Sequence, residues 1–177
     1  MNHKSSASSE VRMSELMTPD NANFLGQIFG GSILALLDKV AYVTASRFAG
    51  NVCVTASFDR VDFHSPINVG ELVHFVGRVV YVGRTSLQVL IEVFAENVQT
   101  GIQRHTNSCT ATMVAIDENK TPIPVPRLQC ETREEKIAFL EGKVRRKLAQ
   151  DHKIEFEKIK TDLSQKSDEE LSQEINN

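Results

Sequence analysis

Apolar and polar residues alternate along the middle of the chain in the pattern of a sheet. Leu87, Val89, Ile91, Val93 and Ala95 alternate with Ser86, Gln88, Glu92 and Glu96, the two-residue period of a strand with one buried face. Together with stretches at about 52–63, 72–82 and 102–116 this makes four strand candidates, and Val11 to Met17 can pair as a short edge strand. The separators His64 to Gly70, Gly83-Arg84 and Asn97 to Gly101 suit antiparallel neighbours and are too short for crossover helices. One segment has a different pattern. After Gly30-Gly31 the chain is rich in helix formers to about Arg47, and Ala49-Gly50-Asn51 is a turn signal. Ile33, Leu34, Leu36, Leu37, Val40, Ala41 and Val43 would cover most of that helix's circumference, which predicts a buried helix. A buried helix followed by an antiparallel meander is an α+β arrangement, with the sheet wrapped around the helix.

The two ends differ from this middle. Residues 1–10 are small and polar and are expected to be mobile, and Thr18 to Asn21 read as a loop leading to the glycines. Pro122, Pro124 and Pro126 alternate with Ile123 and Val125, predicting an extended segment that cannot complete a sheet ladder. From Glu131 the chain is dominated by Glu, Lys and Arg. Ile137, Leu140, Val144 and Leu148, then Ile154, Ile159 and Leu163, form a sparse stripe at roughly helical spacing. This fits one long or two shorter solvated helices, or equally a charged tail with partial order. The chain thus divides into a flexible 1–10, a folded domain over 11–130 and a charged helical extension over 131–177.

Composition narrows the class. At 177 residues and 41% hydrophobic content the chain can bury a real core, and 20 basic against 23 acidic residues leave no cationic excess to favour nucleic acid. No run approaches a membrane span, and the Ser-rich start lacks the apolar core of a secretory signal, so the expected compartment is the cytoplasm. Cys53, Cys109 and Cys130 are too far apart for a C-x-x-C motif and odd in number, and read as reduced, mostly buried thiols. No metal site is expected, because no His, Cys or Asp residues share ligand spacing near the glycines.

Chemistry concentrates in Asn23 to Asp38, NFLGQIFGGSILALLD. A helix opening at Gly30 presents backbone N–H groups without intrahelical partners at the positive end of its dipole, a site for an anion or a developing oxyanion. Asp38 stands inside the apolar run, where an ionised carboxylate without water or a partner is costly. From the helix alone, a solvated stripe of Ala35, Asp38, Lys39, Tyr42 and Ser46 is the better-supported reading. A cleft-lining base or nucleophile is the alternative.

The segment resembles the active-site region of the hotdog-fold acyl-CoA thioesterases, in their acyl-CoA hydrolase branch. Asn23, Gly30, Gly31 and Asp38 match it position by position, and further matches are SFDRVDFHSPINVGE (Ser57 to Glu71), VGRTS (Val82 to Ser86) and TMVAIDENKTPIPVP (Thr112 to Pro126). The resemblance implies a hotdog domain that hydrolyses fatty acyl-CoA to free fatty acid and CoA. Asp38 would be general base, or nucleophile through a mixed anhydride, with Gly30 N–H and its neighbour Gly31 polarising the carbonyl and Asn23 orienting water or substrate. Thr55 or Ser57 could position the water. Asn23 can also be read as a loop cap, a common use of Asn.

The CoA phosphates need cations. Gly83-Arg84-Thr85-Ser86 brings a guanidinium and two hydroxyls together in what is otherwise an ordinary hairpin turn, and Arg60, Arg127 and the Arg145-Arg146-Lys147 cluster are further candidates. No cofactor is expected beyond the CoA of substrate and product. The family also implies a homodimer at least, and a hexamer built as a trimer of dimers, with active sites at the dimer interface. Other readings remain beside this one. Asp59 and His64, and His64-Ser65-Pro66, resemble parts of hotdog hydratase and dehydratase sites, although an extended strand would put Asp59 and His64 on opposite faces and Ile67 stands where the dehydratase pattern has Gly. A non-catalytic acyl-CoA-binding protein, and an interaction protein acting through its charged tail, are the alternatives outside catalysis. His74 and His105, alone within strands, read as packed or solvated side chains.

Overall fold

A computed structural model describes residues 3–59 and 61–176 of the chain. These fall into two compact units, 1–139 and 140–177. In the first, an antiparallel sheet of β2 (Val11–Leu16), β3 (Cys53–Phe58), β4 (Glu71–Val82), β5 (Ser86–Asn97) and β6 (Gln103–Ala115) has the order β2-β4-β5-β6-β3 and curves around α1 (Gly30–Ala49). β1 (His3–Ser5) and β7 (Arg127–Gln129) form a separate parallel pair.

The predicted alternation places the core. Leu87, Val89, Ile91, Val93 and Ala95 are all fully buried, beside Val73, Phe75 and Val79 of β4 and Ala111, Met113 and Ala115 of β6. Against them α1 buries Ile33, Leu37, Val40, Ala41, Ala45 and Phe48. The helix ends where Gly50 takes a left-handed φ of 72° and its N–H donates to Ser46 O. α1 packs tightly on the sheet at Gly77. A Cβ there would stand 2.6 Å from Thr44 Oγ1 and 2.8 Å from Val40 Cγ1, both on stiff β-branched side chains of the helix. Gly77→Ala is therefore expected to lower stability by about 2 kcal/mol through overpacking, read as a lower urea midpoint at unchanged slope.

The N-terminus departs from the expected mobility. β2 pairs with β4 only as far as Val11 opposite Gly77, which would leave the next outward-facing backbone groups of β4 unpaired. Two buried serines replace the missing ladder: Ser9 Oγ accepts from Val79 N at 2.8 Å and Ser6 Oγ donates to Val79 O at 2.8 Å. Lys4 Nζ donates to Phe48 O at 2.7 Å, placing a cation at the C-terminal end of α1. A stretch that composition marks as loose is thus held by specific bonds to the sheet and helix.

The proline segment runs extended and joins no strand, as its missing donors require. Its prolines occupy alternate positions, so the intervening N–H groups face one side. Ile123 N donates to Ala115 O and Val125 N to Arg84 O, and the chain then runs on into β7. Past it, α2 (Arg133–Gln165) and α3 (Asp168–Ile175) are helical as one long and one short element. Phe139 packs on Tyr81 with ring centroids 5.1 Å apart. In the second unit Leu140, Val144, Leu148, Ile154, Ile159 and Leu163 remain largely exposed, and Ser167 caps α3 in a reciprocal capping box with Glu170. No described helix is long and apolar enough to cross a membrane.

Candidate active site

The N-terminus of α1 is uncapped. Its N-cap residue is Phe29, no side chain among the described residues accepts from the first-turn N–H groups, and that turn holds no acid. Gly30 and Gly31 N–H precede the first amide that helix geometry can satisfy internally. The two glycines are there for different reasons. A Cβ on Gly31 would collide with the Phe29 ring at 2.2 Å, whereas one on Gly30 would meet only Phe63 at 3.6 Å, an ordinary contact. A side chain at position 31 would have to displace the half-exposed Phe29 ring. Glycine at position 30 leaves the helix end open to a ligand.

Gly30 opens onto a cleft of about 470 Å³ lined by Gln27, Ile28, Ile33, Phe63, His64, Ser65, Pro66 and Ile67. Asn23 shapes the turn leading to it. Its Oδ1 accepts from Leu25 N at 2.8 Å and Gln27 N at 3.2 Å, and its backbone N–H donates to Gln27 O. This loop-capping role occupies the amide oxygen and leaves the Nδ2 donors uncommitted among the described residues.

Asp38 is exposed, as are Ala35, Lys39 and Tyr42 on the same stripe. It is not solitary, because Thr55 Oγ1 donates to Asp38 Oδ1 at 2.6 Å. The contact follows from register. Cys53 and Thr55 lie two apart on edge strand β3 and so share the face toward the helix, and Thr55 is paired with buried Met113. A bulge then inserts Ala56, and Ser57 pairs with Thr112 between two buried residues of β6, on the sheet's other face. Simple alternation would have placed Thr55 and Ser57 together. The structure brings only Thr55 to Asp38.

One chain does not assemble all the expected residues. Gly30 and Asp38 stand eight residues apart on one helix, about 12 Å along its axis. Arg84, Thr85 and Ser86 form the β4–β5 turn, closed by Gly83 N to Ser86 O at 2.7 Å. That turn lies at the opposite end of β4 from Glu71, roughly 35 Å away along a 12-residue strand. Arg84 and Arg127 are exposed, with no ion-pair partner among the described residues. Arg60 lies outside the described residues. Arg145 pairs with Glu141 at 3.6 Å on α2.

The remaining groups sort clearly. Burial raises the thiols of Cys53 and Cys130, and burial together with the charge of Asp59 pushes Cys109 up to about 12, so none is an activated nucleophile. None is disulfide-bonded. His74 is packed between Ser14 and Glu96, and His105 lies edge-on to Phe94. Among the described residues no three His, Cys, Asp or Glu side chains converge as metal ligands would. β3 ends at Phe58, so strand geometry does not separate Asp59 from His64 as expected. His64 reaches the cleft, while Asp59 is not part of its lining.

Apolar surface surrounds these groups. Phe24 is 96% exposed and Leu25 71%, and Phe29, Phe63, Leu34, Tyr42, Val52 and Val54 are also uncovered. They flank Asn23, Gly30, Asp38 and Thr55 in sequence, and Val54 lies on the open edge of β3. Exposed apolar side chains in such numbers are characteristic of surfaces that meet a partner. Phe63 and Gln27, which the sequence reading did not single out, also line the cleft, and no motif or period in the sequence marks them.

Three comparisons bear on this geometry. The thioesterase superfamily model matches residues 25–102. Protein VdlD of Helicobacter pylori is 45% identical over 138 residues, 78% of this chain and 78% of that protein. An apo-hexameric acyl-CoA thioesterase superposes with a TM-score of 0.82 at 36% identity, over 86% of this chain and 97% of that one. The Staphylococcus aureus acyl-CoA hydrolase, solved with butyryl coenzyme A, coenzyme A and coenzyme A disulfide, gives 0.81 at 29% identity, over 92% and 99%. Variants of that enzyme replace by alanine an asparagine, an aspartate and a threonine at its positions 28, 43 and 60. Asn23, Asp38 and Thr55 are the same residue types at the same separations. By sequence, fold and site spacing, this chain belongs to the hotdog-fold acyl-CoA thioesterases and is an acyl-CoA thioester hydrolase.

Proposed function

We propose that the protein hydrolyses fatty acyl-CoA to free fatty acid and CoA at sites shared between two subunits. The observation that carries this reading is the separation of the two halves of the chemistry along α1. A base must lie within hydrogen-bond reach of the attacking water, and that water near the carbonyl carbon whose oxygen the Gly30 N–H binds. About 12 Å of helix is too long for this within one chain. A second copy, covering the apolar surface around Phe24 and Val54, can bring its Gly30 to the first copy's Asp38.

In this site Asp38, oriented by Thr55, takes the proton of the attacking water, or attacks the thioester carbonyl itself to give a mixed anhydride that a water then hydrolyses to the free acid and the Asp38 carboxylate. Gly30 N–H, with Gly31 as its neighbour and the helix dipole behind it, stabilises the oxyanion as charge develops. Asn23 turns its Nδ2 donors toward water or the substrate carbonyl. The acyl chain occupies the cleft at Ile28, Ile33 and Ile67, and the thiolate of CoA leaves as the carbonyl reforms. No further cofactor takes part. We assign the assembly as a homodimer at least and a homohexamer built as a trimer of dimers, a reading the hexameric relative supports, and place the protein in the cytoplasm.

The primary test is release of free thiol from an acyl-CoA panel, with CoA binding in the absence of turnover counting against the reading. Arg84 and Arg127 are assigned to the CoA phosphates, with Thr85 and Ser86 as neighbouring hydroxyls. A contact remote from the reacting carbon binds substrate and transition state about equally. Arg84→Ala is therefore expected to raise KM about tenfold with little change in kcat. A loss confined to kcat would refute the assignment.

A further inference from the structure

The wall of the cleft facing Gly30 is an irregular segment, His64 to Asn68, that belongs to no strand or helix. Its own backbone anchors are few. His64 N donates to Thr106 O at 3.4 Å, Ile67 O accepts from Ile28 N at 2.9 Å, and Asn68 bridges to Gln27. A paired guanidinium and carboxylate behind the wall hold the rest. Arg104 of β6 donates from Nη1 to Glu71 Oε1 at 2.5 Å and from Nη2 to Glu71 Oε2 at 2.8 Å, a two-point contact with the first residue of β4. The same guanidinium donates to Pro66 O at 2.7 Å and Ser65 Oγ at 3.3 Å. Glu71 Oε2 in turn accepts from Asn68 N at 2.8 Å and Asn68 Nδ2 at 3.4 Å. The Arg104 hydrogen bonds, with those from Asn68, hold the Glu71 carboxyl below its ordinary range. Both charges are therefore present at neutral pH, and between them they grip Ser65, Pro66 and Asn68.

We propose that Arg104 and Glu71 are positioning residues: their clasp fixes the gap between the His64–Ile67 wall and the Gly30 end of α1, and with it the width of the cleft that receives the acyl chain. The inference rests on the reading that this cleft takes the acyl-thioester. A rigid wall defines how far an alkyl chain can enter and how its carbonyl meets the helix end. With the clasp removed, the wall keeps its few backbone bonds and the buried Ile67 side chain, while Ser65, Pro66 and Asn68 lose their side-chain anchors and the cleft loses its set width. The consequence appears in substrate binding and in discrimination among chain lengths.

The test compares Arg104→Met, Arg104→Lys and Glu71→Gln with wild type on acetyl-, butyryl- and dodecanoyl-CoA, with circular dichroism melts on each protein. The ratio of kcat/KM between two substrates does not depend on the fraction of enzyme folded, so it separates positioning from lost stability. Arg104→Met and Glu71→Gln are expected to raise KM about tenfold with kcat nearly kept, and to shift the long-to-short ratio by about threefold or more. Arg104→Lys keeps the charge without the fork and should fall between. Arg78→Met is the matched control. Arg78 pairs with Glu92 at 2.5 Å on the same sheet, but lines a different cleft with Ser6, Glu10 and Glu134. Its ratio should equal wild type. Unchanged KM and ratio in Arg104→Met and Glu71→Gln, whether total activity holds or falls in step with folded protein, would overturn the proposal. Asp38→Asn, run on the same panel, keeps the two readings apart. Full activity in that variant refutes the site assignment, whereas an inactive Asp38→Asn with an unmoved ratio refutes only the clasp.

Discussion

Asp38→Asn is expected to abolish turnover, by about a thousandfold or more, while the protein folds and binds CoA as before. The exchange preserves size and keeps an oxygen able to accept from Thr55 Oγ1, which donates to Asp38 at 2.6 Å. The orientation of the side chain survives, and only the basic or nucleophilic oxygen is lost. Folding is expected to be little affected because Asp38 is exposed on the protomer and the Asn amide oxygen can still accept from Thr55 Oγ1. The measurement is kcat by thiol release on several acyl-CoAs, with CoA affinity and thermal melts alongside. Near wild-type rates on every substrate would remove Asp38 from the mechanism.

Mixing two inactive variants should restore activity, and this second outcome tests the architecture of the site. If Asp38 of one subunit faces Asn23 and Gly30 of its partner, a heterodimer of Asp38→Asn with Asn23→Ala holds one site with both lesions and one with neither. Equal mixing with free exchange makes about half the dimers mixed, so about a quarter of all sites become intact. Starting from two preparations with negligible rates, that gain is large and unambiguous. Demonstrated heterodimers without recovered activity would mean that the two residues act within one chain. The geometry argues against that. Gly30 and Asp38 are fixed on one rigid helix, and about 12 Å along its axis exceeds what one water and one carbonyl can bridge.

The elements themselves were largely legible in the sequence. Period-two alternation located β5, and glycines with turn residues placed the limits of α1 and the hairpins to within a few residues. The Asn23–Gly30–Asp38 spacing pointed to the family before any fold was known. What misled was local composition read without its surroundings. Ser6 and Ser9 look like a loose polar tail, yet they pair with Val79 because β2 begins at Val11, opposite Gly77 of β4. The alternating prolines keep 122–126 out of any strand, as expected, but composition did not show that Ile123 between them still donates to Ala115 of β6 and Val125 to Arg84 of the β4–β5 turn. Ser57 looks equivalent to Thr55, yet the bulge at Ala56 turns it to the other face.

The chain's own residues thus determined which segments bury and which chemistry they carry, because side-chain periodicity and the conformational limits of glycine and proline are local properties. Tertiary structure alone decided which groups meet. Thr55 reaches Asp38 across 17 positions, and Arg104 reaches Glu71 across 33, from strands separated in the sheet by β5. Such contacts depend on register, bulges and strand order, which arise from the summed packing of the core. No single stretch encodes them.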